Sequence, residues 1–380
     1  MSGIVIYSYL EEMVENKASD LYITVGLPPT MRIENELKAL DSNPLAPDTV
    51  QDMLSEVLTS RQRREYESTM ELNLGLDMAD SGRFRVNVLR QNQFPAMVIR
   101  RSTSQIPSFE ELHLPDIFRT LALKKRGLIL ISGVTSSGKS TSLASMVDYR
   151  NQNMGGHIIT IEDPIEYAHD HKKSIITQRE VGIDTQSYQV ALKNALRQKP
   201  DAILVGEIRD VEVMEMALNA AETGHLCLST IHTNNAIQAI ERMISLFPEE
   251  RHNQVRIALS MNLSAIVGQR LVNNKYGGLT PALEILMNEA LIKDHILKGE
   301  TSKIREVMAN NTTSGMMLFD DCLFKLFRED FIDENTAIAE CDIPSDMKMR
   351  IQQYRMSGVV NEGGEKSGAF DQVDTSKLSL

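Results

Sequence analysis

The chain has 380 residues, of which 42% are hydrophobic and 24% are charged, and its net charge is −12. Its length predicts two domains with appendages, and its composition is that of a soluble globular protein. The acidic balance does not favour general attraction to nucleic acid or to an anionic membrane, and three scattered cysteines without a CxxC pair indicate neither a zinc site nor a disulfide framework.

The first hundred residues predict a small α+β domain, which we place at residues 1–101 and follow with a linker at 102–113. Apolar residues at helical spacing indicate one helix over residues 7–17 and two more between 47 and 67, with Asp48 and Thr59 or Ser60 as N-caps. The last two strands are expected to form a hairpin. The predicted strands are residues 21–25, 30–33 and 36–39, with a turn at Asn35, and residues 84–89 and 96–100.

From residue 114 the pattern changes to strands that alternate with helices. This alternation predicts βαβ units with right-handed crossovers and a parallel sheet, in a second domain at residues 114–357. Residues 235–355 are predicted to be mostly helical, apart from a break at Tyr276 and a strand-like stretch at 279–286. The Gly-, Ser- and charge-rich residues 358–380 are predicted to be disordered. The predicted strands are 128–132, 157–161, 202–205 and 226–230, and the predicted helices are 139–151, 188–198 and 211–223.

A complete phosphate-binding loop lies between the first of these strands and the helix that follows it. The pattern Gly-x4-Gly-Lys-Ser in this position is the P-loop of nucleotide-binding proteins. Its glycines allow a tight turn whose backbone N–H groups face phosphates, Lys139 reaches the β- and γ-phosphates, and Ser140 is a Mg²⁺ ligand. The sequence therefore predicts a site for ATP and Mg²⁺ formed by Gly133, Val134, Thr135, Ser136, Ser137, Gly138, Lys139, Ser140 and, beside the α-phosphate, Thr141.

Carboxylates follow two further predicted strands. Glu207 comes after an apolar strand, at the end of a parallel sheet where ligands collect, and is predicted to bind Mg²⁺ through its water shell. Glu162, Asp163 and Glu166 follow another strand. ATP hydrolysis needs a carboxylate that orients the attacking water or accepts its proton, so these three acids are the candidates. The alternative is a solvated acidic turn.

Two histidines and a group of arginines complete the candidate site. His225 and His232 flank one buried strand, where they are either ordinary core residues or sensors that hydrogen bond to the γ-phosphate. The arginines lie on the last strands of the first domain. Surface arginines are commonly solvated, but in oligomeric ATPases an arginine of another domain or subunit meets the charge on the γ-phosphoryl group. These arginines are Arg83, Arg85, Arg100 and Arg101.

Taken together, these motifs resemble the type IV pilus and type II secretion ATPases, and within that family the retraction motors of the PilT and PilU type. The resemblance covers about residues 1–350. It implies a PAS-like N-terminal domain, a RecA-like ATPase domain and a hexameric ring with ATP between the two domains. The stretches that carry it are residues 18–21, 82–87, 133–140, 161–166, 178–181, 204–210, 220–225 and 230–233.

The resemblance also implies roles for the candidate residues. Glu166 falls on the position that activates water, and Glu207 falls on an atypical Walker B acid. The acids from Glu162 to Glu166 fall on the family's Asp box, and His225 and His232 fall on its His box. The implied arginine fingers are Arg83, Arg85 and either Arg100 or Arg101.

One segment departs from the PilT-type motors. Those motors carry Ala-Ile-Arg-Asn-Leu-Ile-Arg-Glu in the C-terminal region, whereas this chain has a different basic and apolar stretch at residues 290–300. Together with the tail, this difference resembles the PilU-type members, which assist the main retraction motor. The chain has neither the longer N-terminal region nor the tetracysteine motif that extension motors typically carry.

We therefore predict a cytoplasmic hexameric ATPase that powers or assists type IV pilus retraction, and so twitching motility, by hydrolysing ATP to ADP and phosphate. The N-terminus has no signal-peptide pattern and the apolar runs are of strand length, so no membrane insertion is expected. The expected partners are further copies of the chain, a PilT-type retraction ATPase and an inner-membrane platform protein. One alternative is a nucleotide-binding subunit that docks on the PilT-type motor without its own turnover. Another is a RecA-like translocase, which the acidic balance and the lack of a basic aromatic groove disfavour, so no nucleic acid is expected.

Overall fold

The computed structural model describes residues 5–33, 36–78, 82–101, 105–311 and 315–356. The turn predicted at Asn35, the start of the predicted linker and the tail predicted at 358–380 lie outside the described residues. The chain divides into two compact units. The first contains the described residues up to Gln105 together with Pro164–His169 and Glu180–Gln186, and the second contains the others.

The first unit is built on an antiparallel sheet whose neighbouring strands follow the order β3-β2-β1-β6-β5-β4. Burial alternates along β5, where Phe84, Val86 and Val88 are buried and the residues between them are partly exposed. The buried face packs with the apolar residues of the helices. The elements are α1 (Val5–Glu15), β1 (Asp20–Thr24), β2 (Thr30–Ile33), β3 (Glu36–Ala39), α2 (Pro47–Val57), α3 (Ser60–Thr69), β4 (Glu71–Met78), β5 (Gly82–Gln91) and β6 (Phe94–Arg101).

The helix starts of the first unit confirm one predicted cap and correct another. Thr59 caps α3 in a capping box, because its hydroxyl accepts from the Gln62 N–H while the Gln62 side chain accepts from the Thr59 N–H. Asp48 was predicted as the cap of α2, and this is wrong. The helix starts at Pro47, which lacks an N–H and suits the first helical position, so Asp48 lies within the first turn. Strand β4 was not predicted.

The second unit holds a seven-stranded sheet with the order β13-β12-β7-β11-β10-β8-β9. The elements up to the last strand are α4 (Ile117–Ala122), β7 (Gly127–Ser132), α5 (Lys139–Asn153), β8 (Gly156–Glu162), β9 (Ser174–Glu180), α6 (Tyr188–Ala195), β10 (Ala202–Val205), α7 (Val211–Glu222), β11 (Leu226–Ile231), α8 (Ala236–Ser245), α9 (His252–Asn262), β12 (Leu263–Asn273) and β13 (Leu279–Met287). The C-terminal helices are α10 (Ala290–Lys298), α11 (Ile304–Asn310), α12 (Phe319–Arg328), α13 (Glu334–Glu340) and α14 (Pro344–Met356).

The central strands of this sheet are parallel and covered on both faces. Strand β11 pairs in parallel with β7 and β10, and β10 pairs in parallel with β8. Every residue of β7, β10 and β11 is buried, as expected for a parallel sheet between two helical layers. The predicted fold class, a mixed α/β protein with a largely parallel sheet and a helical C-terminal part, is confirmed. Every helix among the described residues is too short or too polar to cross a membrane.

Strand β12 corrects the prediction that the region after residue 235 is helical up to the glycine break. Residues 263–273 pair in parallel with β7 and antiparallel with β13. Most of β12 is buried on both faces, so its sequence shows no alternation of apolar and polar residues. Short apolar runs of this kind cannot be assigned to helix or strand by periodicity alone.

Candidate nucleotide-binding site

The predicted phosphate-binding loop connects β7 to α5, and its glycines lie where no side chain fits. Gly138 has a φ of 81° and lies directly before the helix. A Cβ added to Gly133 would lie 2.4 Å from the Gln269 carbonyl oxygen, and one added to Gly138 would lie 2.8 Å from Gln269 Nε2. The loop therefore needs glycine at both positions because β12 passes directly against it.

The Lys139 side chain is bonded to the loop itself. It is 7% exposed, and its Nζ donates to the carbonyl oxygens of Gly133 (3.0 Å) and Val134 (2.6 Å). The ammonium group is thus held over the loop rather than extended into solvent. Ser140, at the start of α5, is exposed, and Thr141 is half-buried. The other exposed residues of the loop are Val134, Thr135 and Ser136.

A side chain that the sequence analysis missed holds this loop from the outside. Gln269 on β12 is 3% exposed, and its Nε2 donates to the Ser137 carbonyl oxygen at 2.9 Å. Its Oε1 accepts from the Ser142 hydroxyl at 2.8 Å. The loop also borders a cavity of about 210 Å³, which is lined by Gly133, Val134, Ser136, Ser137, Asn234, Gln269, Arg270, Leu271 and Glu340.

The register of the sheet brings several of the predicted residues to the same edge as the loop. Ile231 of β11 pairs with Ser132 of β7, and Val205 of β10 pairs with Ile161 of β8, so the carboxyl ends of these strands are level. The residues at or just after the end of each strand therefore share one edge, where ligands of open α/β sheets bind. They include Gly133, Glu162, Asp163, Glu207 and His232.

Glu207 and His232 contact each other at this edge. Glu207 Oε2 lies 3.1 Å from His232 Nε2, and its Oε1 pairs with Arg209. Burial, and then the positive charges of Lys139 and Arg209, lower the pKa of His232. His232 is therefore neutral at physiological pH, with Nε2–H as donor to Glu207 and Nδ1 left as an acceptor.

The lowered pKa of His232 predicts a pH dependence of stability. Between the ordinary pKa of about 6.5 and the lower folded-state pKa, the unfolded chain binds more protons, so the folded state loses stability as the pH falls. We expect His232→Asn to lose less melting temperature than the wild type between about pH 7.5 and about pH 5.5. Thermal unfolding at both values measures this difference. Equal losses in the two proteins would contradict it.

The acids at the end of β8 lie beside a second side chain that the sequence analysis missed. Glu162 Oε1 accepts from the Thr160 hydroxyl at 2.6 Å, and Asp163 is exposed. Burial, followed by the negative charge of Asp163, raises the pKa of Tyr188, which stays a neutral hydrogen-bonding group. Its hydroxyl lies 2.8 Å from where a Cβ on Gly206 would stand, so any side chain at position 206 would have to displace that hydroxyl.

His225 lies at the opposite edge of the sheet. It precedes β11, and its carbonyl oxygen accepts from the N–H of Gly127, the first residue of β7. Its Nδ1 lies 3.1 Å from the Ala220 carbonyl oxygen and 3.1 Å from the Thr223 hydroxyl, at the end of α7. Seven residue steps along β11 separate it from His232, a distance of about 23 Å. The structure therefore brings His232, and not His225, to the edge of the phosphate-binding loop.

Glu166 belongs to the first unit, where it is exposed on the segment Pro164–His169. The N–H of its neighbour Ile165 donates to Glu180 Oε2 at 3.3 Å. Burial is the largest influence on Glu180 and raises its pKa, while the Ile165 N–H and the charge of Arg83 act in the opposite direction. Arg83 Nη2 lies 3.8 Å from Glu180 and 3.9 Å from Asp184.

The antiparallel register separates the four predicted arginines into two faces of the first sheet. Arg85 pairs with Arg100, so their side chains share a face, and Arg83 lies two residues along the same strand. Arg100 Nε donates to Asp20 at 2.9 Å and is largely exposed. Arg101 instead pairs with the buried Phe84 on the core face, where burial lowers its pKa.

The residues at the loop fit a magnesium ion bound together with phosphates. Ser140 offers an exposed hydroxyl, and Glu207 offers a carboxylate at the same edge of the sheet. Mg²⁺ prefers oxygen ligands and is commonly held by one or two side chains, water and substrate phosphates. Among the described residues there is no cluster of three or more His, Cys, Asp or Glu that could hold a metal ion without such help.

Comparison with known proteins identifies close relatives. Residues 4–280 match the family described as type II/IV secretion system protein. The chain is 46% identical over 344 residues to the type IV pilus ATPase PilU of Pseudomonas aeruginosa, with 90% of each chain covered. It is 37% identical to the type IV pilus retraction ATPase PilT of the same organism, covering 86% of this chain and 95% of that protein. A crystal structure of the pilus retraction motor PilT with bound ADP matches with a TM-score of 0.84 and 40% identity, covering 90% of this chain and 99% of that one.

Proposed function

The chain belongs to the type II/IV secretion system protein family and, within it, to the pilus ATPases of the PilT and PilU type, and from that premise we propose that it powers or assists type IV pilus retraction. It is an ATPase, and it hydrolyses ATP to ADP and phosphate. We place it in the cytoplasm, at the inner-membrane base of the pilus, as a ring of six copies. Its proposed partners are a PilT-type retraction ATPase and the inner-membrane platform protein.

The observation that carries this proposal is the meeting of Lys139, Glu207 and His232 at the edge of the sheet where the phosphate-binding loop begins. Lys139 is held over the loop by two backbone carbonyls, where its charge would meet the β- and γ-phosphates. Glu207 and His232 contact each other at 3.1 Å. A basic, an acidic and a neutral hydrogen-bonding group thus lie together where ligands of open α/β sheets bind.

These residues support hydrolysis by positioning and charge. Ser140 and Glu207 would hold a magnesium ion, which when bound supplies charge neutralisation on the phosphates. Glu166 is proposed to take a proton from water as the water oxygen bonds to the γ-phosphorus and the bond to the ADP oxygen breaks. His232 Nδ1 is free in its tautomer to accept a hydrogen bond at the same edge. Glu162 and Asp163 are proposed to support Glu166.

The arginines are proposed to act on a nucleotide held by another copy of the chain. Arg83, Arg85 and Arg100 share one face of the first sheet, whereas Arg101 lies on its core face. Three cations on one face suit the charge that develops on a γ-phosphoryl group. We therefore propose Arg83, Arg85 and Arg100 as the arginine fingers.

We propose an assisting role because the segment at residues 290–300 differs from the corresponding segment of the PilT-type motors. Residues 290–298 form α10, which ends at Gly299 in a left-handed conformation. Leu291 and Leu297 of this helix are exposed. The 46% identity to PilU compared with 37% to PilT agrees with a PilU-type role.

Deleting the chain in cells, with and without the PilT-type motor, tests this proposal. We expect retraction to weaken when the chain is deleted beside a working PilT-type motor, and to be absent when both are missing. Retraction is measured by imaging labelled pili. Unchanged retraction after deletion of the chain would contradict a role in retraction. Full retraction by the chain without the PilT-type motor would contradict an assisting role and would support an independent motor.

A further inference from the structure

The side chain of Gln269 is bonded at both ends to the phosphate-binding segment. Its amide nitrogen donates to the Ser137 carbonyl oxygen (2.9 Å), and its amide oxygen accepts from the Ser142 hydroxyl in the first turn of α5 (2.8 Å). Only 3% of the residue is exposed. A buried amide with both ends paired has one favourable orientation, because turning it would place donor against donor and acceptor against acceptor.

This bond determines the orientation of a peptide group inside the loop. The Ser137 carbonyl and the Gly138 N–H belong to the same peptide unit, and in a trans peptide these two groups point in opposite directions. Gln269 holds the carbonyl on the side of β12. The Gly138 N–H is therefore turned to the other side of the loop, and backbone N–H groups are what a P-loop offers to phosphates.

We propose that Gln269 is a positioning residue for nucleotide binding, which orients the peptide between Ser137 and Gly138 so that the Gly138 N–H faces the phosphates. The inference rests on the assignment of residues 133–140 as the phosphate-binding loop. It goes beyond that assignment because Gln269 lies more than a hundred residues along the chain and contacts the loop only from outside.

The two ends of the amide allow a test by single substitutions. Gln269→Glu keeps an acceptor for Ser142 but places a carboxylate oxygen against the Ser137 carbonyl, so the proposed contact is lost. Ser142→Ala removes only the opposite contact and leaves the bond to Ser137. Gln269→Met keeps the volume and removes both bonds, and it serves as a second variant if Gln269→Glu does not fold.

We expect Gln269→Glu and Gln269→Met to raise the KM for ATP and the Kd for ADP by about tenfold or more, with kcat changed by less than about threefold. Ser142→Ala keeps the bond to Ser137, so it should change both constants less than the two Gln269 variants do. The KM and kcat come from steady-state turnover, the Kd from calorimetric titration with ADP alone, and thermal unfolding shows that the variants are folded.

Wild-type affinity for ADP in Gln269→Glu or Gln269→Met would overturn the proposal, and so would equal losses of affinity in those variants and in Ser142→Ala. Equal losses would mean that the amide only stabilises the fold. The assignment of the loop is tested separately by Lys139→Ala. If that variant turns over ATP normally, the loop assignment fails, whereas normal Gln269 variants beside an inactive Lys139→Ala overturn only the role of Gln269.

Discussion

Replacing Lys139 with alanine should lower the ATP turnover of the purified chain by about 10²–10³-fold or more. The ammonium group is the only charge that the phosphate-binding loop itself supplies, and it is held in place by the Gly133 and Val134 carbonyls. Without it, the loop has no cation to neutralise the bound phosphates. The loop also has no cation to stabilise the negative charge that develops during phosphoryl transfer. Both the affinity for ATP and kcat should fall, since the charge acts in the ground state and in the transition state.

Lys193→Ala provides the matched control for this substitution. Lys193 is an exposed lysine of α6, and its loss removes the same charge from the surface of the same unit. Turnover of this control should stay within about twofold of wild type, as for most surface substitutions. Turnover by Lys139→Ala that equals that of Lys193→Ala would show that the site of hydrolysis lies elsewhere.

Replacing Glu166 with glutamine should lower kcat by about 10²–10⁴-fold, the range over which general base catalysis contributes. Glutamine has nearly the same shape as glutamate but cannot take a proton from water. The affinity for ATP should stay within about threefold of wild type, because the side chain is proposed to act only on the attacking water. Steady-state turnover together with titration of ATP separates the two quantities.

Glu222→Gln is the matched control, since Glu222 is an exposed glutamate at the end of α7, on the side of the sheet away from the loop. It should keep its turnover. If Glu166→Gln also kept its turnover while Glu162→Gln lost it, the water-activating role would move to Glu162. Loss of ATP affinity equal to the loss of kcat would instead indicate that Glu166 binds the nucleotide.

The parts of the fold that the sequence predicted well are those that depend on local pattern. The glycine loop lies between an apolar strand and a helix, and each of these signals is contained in about a dozen residues. Strand β12 was assigned wrongly because it is buried on both faces and carries no alternation. Its identity as a strand depends on pairing with β7 and β13, which a local pattern does not contain.

In the candidate site, too, the residues that depend on local pattern could be predicted from the sequence, and those that depend on long-range contacts could not. Glu207 and His232 could be predicted to share an edge with the loop because each follows a parallel strand. Gln269 could not be found, since its partners Ser137 and Ser142 lie 132 and 127 residues away and its own strand was not recognised. His225 and His232 were treated as a pair, although His225 precedes β11 and His232 follows it, so the two lie at opposite edges of the sheet.

The arginines show what strand register adds to a sequence pattern. Arg100 and Arg101 are adjacent, and the sequence offered no reason to choose between them. In an antiparallel sheet, neighbouring residues point to opposite faces, so the pairing of Arg85 with Arg100 decides which one shares a face with Arg83. Arg101 lies opposite the fully buried Phe84, and its guanidinium is partly desolvated.

The central claim is that the chain's own ATP turnover contributes to pilus retraction. It is tested most directly by measuring pilus retraction in cells whose only copy of this chain carries Lys139→Ala. Control cells carry Lys193→Ala as their only copy. Both kinds of cell keep a working PilT-type motor. We predict that retraction with Lys139→Ala is as weak as in cells that lack the chain, and that Lys193→Ala restores it. Retraction with Lys139→Ala equal to wild type would contradict the claim and would identify the chain as a docking subunit that needs no turnover of its own.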